Sequence, residues 1–152
     1  MLANAAIRLA TPADAHDIAN MSRETIEHGL PWQWRPSRVA RAIRAEDTNV
    51  VVVRDAGTLI GFGIMSYLDE DAHLLLFAVA AARRRQGVGT AILQWLEAAA
   101  RAAGSKRIRV EARRENDAAR CFYNEHGYHE VAIRRGMYDE GVDGIRIEKW
   151  LR

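Results

Sequence analysis

Two kinds of spacing divide the chain. Residues 49–54 (NVVVVR), 59–67 and 73–79 (HLLLFAV) are short apolar runs rich in β-branched and aromatic residues, while residues 106–112 (KRIRVEA) alternate charge with Ile108, Val110 and Ala112. Such runs predict strands, buried where apolar throughout and wet on one face where they alternate. Residues 7–9 predict a further short strand, and residues 128–134 and 144–151 two more near the end. Helical spacing occupies the rest. Thr11-Pro12-Ala13-Asp14 is a helix opening, with Thr as N-cap, Pro in the first turn and an acid three residues on. The helix is expected to run to about Glu27 with Ile18, Thr25 and Ile26 facing inward; Gly29 breaks it, and GLPWQWRP forms a loop before a second helix over residues 37–45. A third helix is expected over residues 88–103, ending at Gly104 as a left-handed cap. A fourth is capped by Asn116, runs through His126 and terminates at Gly127.

Asp55-Ala56-Gly57-Thr58 reads as a hairpin turn and Asp69-Glu70-Asp71 as an acidic turn. The resulting order, βααβββαβαββ, predicts an α/β chain: a mixed sheet flanked by helices, with a central parallel strand pair made by the βαβ unit across residues 73–112. The edge strands near the C-terminus leave monomer or homodimer open.

Length and composition narrow the class. At 152 residues the chain suits one domain spanning residues 1–152, and no apolar run approaches a membrane span, so a soluble protein is expected. The start, MLANAAIRLATPAD, lacks the pattern of a secretory signal, and a single cysteine, Cys121, excludes an intrachain disulfide. A reducing cytoplasmic setting follows as the expectation. A net charge of +2 gives no reason to expect nucleic acid as a partner, which leaves local clusters to be judged one by one.

The most pointed cluster is residues 83–93, RRRQGVGTAIL, where three arginines and two glycines precede a helix. A helix N-terminus after glycines presents N–H groups and a positive dipole end to phosphate. Three phosphate loops compete. The dinucleotide fingerprint fails because Ile92 stands where the third glycine belongs and seven residues separate Val79 from Gly87. A nucleoside triphosphate loop fails for want of Gly-Lys-Ser/Thr. The third pattern, Arg/Gln-x-x-Gly-x-Gly/Ala, is met by Arg84-Arg85-Gln86-Gly87-Val88-Gly89 between an apolar strand and a long helix.

In that segment the chain resembles the GNAT superfamily of acyl-CoA-dependent N-acyltransferases. A second block, Asn116, Ala119, Tyr123, Gly127 and Tyr128, is similar to that family's Asn-x-x-Ala-x-x-x-Tyr-x-x-x-Gly-Phe/Tyr. The run over residues 111–140, and Pro31-Trp32, resemble the ribosomal-protein alanine N-acetyltransferases; the paired tyrosines of that group are replaced by Gly136-Met137-Tyr138.

The resemblance implies a GNAT fold and direct acetyl transfer from acetyl-CoA to a primary amine in a ternary complex. The acceptor would be a protein N-terminal α-amine or a small-molecule amine, and a non-catalytic acyl-CoA-binding module is the reading of another class. It implies that Phe77, Ala78 and Val79 hold pantetheine through main-chain groups, one strand N–H steadying the oxyanion. The backbone of Arg85, Gln86, Gly87, Val88, Gly89 and Thr90 would cradle the pyrophosphate, with charge from Arg84 or Arg85 and a contact from Asn116. Tyr123 would protonate the leaving thiolate, since a phenol with pKa ~10 is neutral at pH 7 yet able to donate. Glu111, twelve residues earlier, would be the base. Each has an ordinary structural reading beside it: Tyr123 a core aromatic, Asn116 an N-cap, Glu111 one charge on a salt-bridged strand face. Trp32, Trp34 and Tyr138 are acceptor-site candidates, the tryptophans alternatively packing the loop over the core. His73, Glu70 and Asp71 are rival bases, read as turn or strand-end residues. Cys121 has no partner at a nucleophile's spacing, and no His/Cys/Asp grouping suits a metal.

Overall fold

The computed structural model describes residues 6–152. The segment 1–5, on which much of the reading of the N-terminus rests, lies outside the described residues. The elements are β1 (Ala6–Leu9), α1 (Ala15–Thr25), α2 (Pro36–Arg44), β2 (Thr48–Asp55), β3 (Thr58–Leu68), β4 (Asp71–Val79), α3 (Val88–Ala102), β5 (Arg107–Arg113), α4 (Asp117–Glu125), β6 (His129–Asp139) and β7 (Val142–Trp150). This is the order read from the sequence. The strands form a mixed seven-stranded sheet ordered β1-β2-β3-β4-β5-β7-β6. β4 and β5 are the expected parallel pair, in register from Asp71 opposite Arg107 to Leu74 opposite Val110. The residues group into two compact units, one of residues up to Ser66 with Leu75–Ala99, the other of Tyr67–Leu74 with Ala100–Arg152.

In the first unit, Ile18, Ala19, Val39, Val50, Val52, Phe62 and Ile64 make a buried cluster between α1, α2 and strands β2 and β3. The opposite side of β3 carries Gly63, where a Cβ would stand 2.8 Å from Leu96 Cδ1 and 3.2 Å from Ile92 Cγ2. Its missing side chain lets α3 lie directly on the strand, which fixes the position of the loop before α3. The opening of α1 is tied to the sheet by one carboxylate. Asp14 accepts from the Thr11 N–H at 2.8 Å, from Arg8 at 2.8 and 3.1 Å, and from Arg54 at 3.0 and 2.8 Å. Burial alone would raise its pKa, but these donors outweigh it and hold Asp14 far below the usual carboxylate range.

α1 stops at Thr25, short of the expected Glu27, because the N–H groups of Ile26 and Glu27 both turn to the Ser22 carbonyl, at 2.9 and 2.8 Å. The buried Glu27 carboxylate then organises the tryptophan loop, accepting from the Ser22 hydroxyl at 2.8 Å and the N–H groups of Gln33 and Trp34 at 2.7 and 3.2 Å.

In the second unit, β5 alternates as expected: Ile108, Val110 and Ala112 are buried, while Arg107, Arg109, Glu111 and Arg113 are half-buried on the other face. Asn116 caps α4, its side chain accepting from the Ala119 N–H at 3.1 Å. β6 runs five residues past its expected end at Arg134. Its pairing with β7 shifts register between Arg134 and Asp139, around Gly136 at φ +62°, whose N–H donates to Asp143 at 2.8 Å. The bulge turns Tyr138 inward on an otherwise exposed edge strand, as bulges beside functional sites commonly do.

Candidate active site

The arginine–glycine loop belongs to the first unit. Arg85 sits at φ +64° and Gly87 at φ +83°. Left-handed residues of this kind bend a chain so that successive N–H groups converge on one point, the geometry that binds anions. Holding a non-glycine residue there costs energy. The surrounding side chains divide their work. Arg83 is a strut, with Nε donating to Gln86 Oε1 at 2.8 Å and a guanidinium N 2.9 Å from Asp55. Arg84 reaches back to the Val79 carbonyl at 3.4 Å and remains exposed, as does Arg85. Val88 is buried and anchors the helix start, with the Ala91 N–H on the Gly87 carbonyl at 3.0 Å, while Gly89 and Thr90 are half-buried in that first turn. Along the end of β4, Ala78 is buried and Phe77 and Val79 are half-buried on the alternate face. The sequence offered Arg84 or Arg85 as accessory charge; the structure leaves both exposed and makes Arg83 a structural residue.

Trp32 and Trp34, also in the first unit, pack against its core cluster. Arg23 and Arg35 lie over Trp32 at 4.9 and 4.8 Å from its centroid, and Arg38 lies over Trp34 at 3.9 Å. The Trp32 indole N–H is buried with no hydrogen-bond partner among the described residues. Glu27, which shapes this loop, went unnoticed in the sequence, where it looks like one more acid at a helix end.

The second unit gathers the titratable candidates. Parallel register sets His73 opposite Arg109, so that His73 and Glu111 share the charged face of neighbouring strands. His73 Nε2 lies 2.6 Å from Glu111 Oε1, and Arg146, opposite Glu111 on β7, brings its Nε to 3.7 Å of Oε2. His73 is thus inside a strand and paired, a correction to its reading as a strand-end residue. Burial of Glu111 works to raise its pKa, but the His73 hydrogen bond, then the charges of His73, Arg146 and Arg109, bring it below the ordinary value. Glu111 is a carboxylate at neutral pH. The same face also carries the salt bridges foreseen for it, Arg107 to Asp71 at 2.8 Å and to Glu148 at 3.4 Å. Glu70 stands apart, exposed and bridged to Lys106 at 2.9 Å.

Tyr138 feels this carboxylate. Burial, then the Glu111 charge, push its phenol up to about 12 against a smaller opposing effect of Arg113. Tyr123 is 4 % exposed and edge-on to Phe122 and near Tyr128, with ring centroids 5.6 Å apart in both pairs. Burial, then Tyr138, raise its pKa well above that of a free phenol. Tyr123 therefore stays protonated across the working pH range. Glu111, Tyr138 and Tyr123 form one electrostatically connected set with His73, whereas Asn116 serves α4 as its cap. Such a set offers a fixed negative charge, an imidazole and neutral phenols, the parts of acid–base chemistry without a covalent intermediate. The described residues contain no group of three or more His, Cys, Asp or Glu able to hold a metal ion. Cys121 is exposed and its thiol donates to Glu125 at 3.3 Å.

The model of the acetyltransferase (GNAT) family matches residues 14–128. The chain belongs to the GNAT family. As a GNAT protein it is an acyltransferase, and its relatives bear out the likeness read from residues 111–140. It is 28% identical over 146 residues to the N-alpha-acetyltransferase RimI of Mycobacterium tuberculosis, covering 91% of this chain and 88% of that protein. It is 33% identical over 111 residues, 73% of each chain, to the ribosomal protein bS18 alanine N-acetyltransferase of Escherichia coli. Among solved structures, the PaiA N-acetyltransferase of Thermoplasma acidophilum, crystallised with coenzyme A, superposes with a TM-score of 0.81 at 18% identity, covering 97% of this chain and 99% of that one. The GNAT fold expected from the two motifs is the fold observed. No helix of the described residues is long and apolar enough to cross a membrane.

Proposed function

We propose that this acetyltransferase moves the acetyl group of acetyl-CoA to a primary amine, a protein N-terminal α-amine, by direct attack in a ternary complex. The observation that carries the reading is that one unit holds both a Glu111 carboxylate, 11% exposed and 2.6 Å from His73, and the buried Tyr123 phenol. An α-amine with pKa ~7.7–8.0 must lose a proton to attack, and a departing thiolate must gain one. Glu111 draws the first proton away and Tyr123 supplies the second. The names of the relatives favour a protein N-terminus over a small amine.

Acetyl-CoA fits the loop before α3. Backbone N–H groups from Arg85 to Thr90 receive the pyrophosphate, and Arg84 and Arg85 add charge. Phe77, Ala78 and Val79 present main chain to the pantetheine, and the Val79 N–H steadies the oxyanion. Tyr138, which shares the second unit with Glu111, belongs to the acceptor side. A thiol-release assay against peptides with free N-termini, the same peptides N-acetylated, and small primary amines tests the assignment. Turnover confined to free N-termini is expected; turnover only with small amines would move the acceptor to that class, and no turnover with any amine would overturn the proposal.

A further inference from the structure

We propose that His73, not the Glu111 carboxylate itself, takes the proton from the acceptor amine, through its Nδ1, while Glu111 holds its Nε2–H. This rests on the acetyl-transfer reading above and moves the proton-accepting atom within it. The geometry fixes the tautomer. Nε2 and Oε1 are 2.6 Å apart, and an ionised carboxylate can only accept, so the hydrogen between them belongs to Nε2. In the neutral ring the lone pair then lies on Nδ1. The exposures order the two groups: the His73 side chain is 38% exposed and that of Glu111 11%. The imidazole is the member that an incoming amine or its bridging water meets, with the carboxylate behind it.

The surroundings reinforce this division. On β4 the neighbour is Asp71, on β5 Arg107 and Arg109, on β7 Arg146 and Glu148, and on β6 Tyr138. Asp71 lies 2.8 Å from Arg107 and 3.9 Å from Arg109, and Glu148 lies 3.4 and 3.9 Å from the same two side chains. With Glu111 beside Arg146, three acids face three guanidiniums, and burial with the Glu111 charge pushes the Tyr138 phenol up to about 12. Imidazole is the side-chain class that ordinarily changes charge near neutral pH, and an imidazole lies closer in basicity to an α-amine than a carboxylate does. A carboxylate already held below its ordinary pKa is a poor match for an ammonium proton.

The step balances. The ammonium proton passes to Nδ1, and the freed nitrogen lone pair forms the C–N bond to the acetyl carbonyl carbon. The C–S bond breaks with its electrons on sulfur, and the thiolate takes the Tyr123 proton. The proton then shed by the new amide nitrogen restores Tyr123, and the imidazolium, stabilised meanwhile by Glu111, returns its proton to solvent.

The test is the pH profile of kcat/KM with two peptide acceptors of different amine pKa. The wild type should show an acid-side limb that does not move with the acceptor. His73→Gln should lose that limb and about 100-fold in rate. Glu111→Gln, which still accepts the Nε2–H, should keep the limb, displaced to lower pH, with a smaller loss. A His73→Gln enzyme that keeps limb and rate, while Glu111→Gln loses both, would overturn the proposal yet leave acetyl transfer through Glu111 intact. Wild-type turnover in both variants would overturn the site reading itself. An independent readout needs no substitution: nitrogen-15 NMR of the histidine rings should show the neutral His73 ring with its hydrogen on Nε2, and the opposite tautomer would refute it.

Discussion

Gly87 is the position at which the coenzyme loop is most exposed to a backbone perturbation. It sits at φ +83°, and a Cβ added there would meet nothing within 4 Å. A substitution therefore acts through conformation alone. An L-residue in the left-handed region costs about 1–2 kcal/mol, which corresponds to a factor of about 5–30 in an equilibrium constant. The loop is exposed at Gly87, so the free protein can relax there, and the cost is incurred when the loop is re-formed around a pyrophosphate. Gly87→Ala should weaken CoA binding by that factor with little change in Tm, and Gly87→Val by more, since β-branching adds to the strain. Arg85→Gly provides the complement. It removes charge but also the strain at φ +64°, so its affinity should lie above that of Arg85→Ala. Isothermal titration of CoA into each variant, with thermal unfolding alongside, measures both quantities. A Gly87→Ala protein that binds CoA like wild type would show that the left-handed geometry is not used, and equal affinities for the two Arg85 variants would assign that position to charge alone.

Other consequences concern the frame around the site. Asp14→Ala removes the acceptor of Arg8, Arg54 and the Thr11 N–H and should destabilise by about 3 kcal/mol, lowering Tm by roughly 6–12 °C. Because the folded pKa of Asp14 is depressed, its contribution is fully present above the unfolded value near ~3.9 and fades as pH falls through the folded one. The gap in Tm between wild type and variant should therefore narrow below about pH 4; a gap at pH 2 as wide as at neutrality would contradict this. Gly63→Ala drives a methyl into Leu96, 2.8 Å from the new Cβ, and should cost about 1–3 kcal/mol in chemical denaturation; an unchanged midpoint would mean α3 is not seated on β3.

How much of this was legible beforehand depended on the range of the interactions involved. The alternation in residues 106–112, the Thr11–Asp14 opening and the Gly104 cap are local signals, and each element they predicted is present. The charged face of β5 was also legible, because period two fixes which side chains share a side. What they touch was not. The contact between His73 and Glu111 joins residues 38 apart and depends on a parallel register set by a crossover through α3, which no local pattern encodes. The same holds for Glu27, whose partners Gln33 and Trp34 lie across a loop, and for the bulge at Gly136, which carries β6 five residues beyond its apolar stretch and turns Tyr138 inward. The sequence could name the residues with chemistry; their pairing had to come from strand register.

Acetyl transfer with Tyr123 as the proton donor stands or falls with kcat for Tyr123→Phe on a free-N-terminus peptide. The ring and its contacts with Phe122 and Tyr128 remain, so CoA affinity and Tm should hold while kcat falls about 100-fold or more. A kcat within about threefold of wild type would remove Tyr123 from the chemistry and leave the thiolate without its proposed donor.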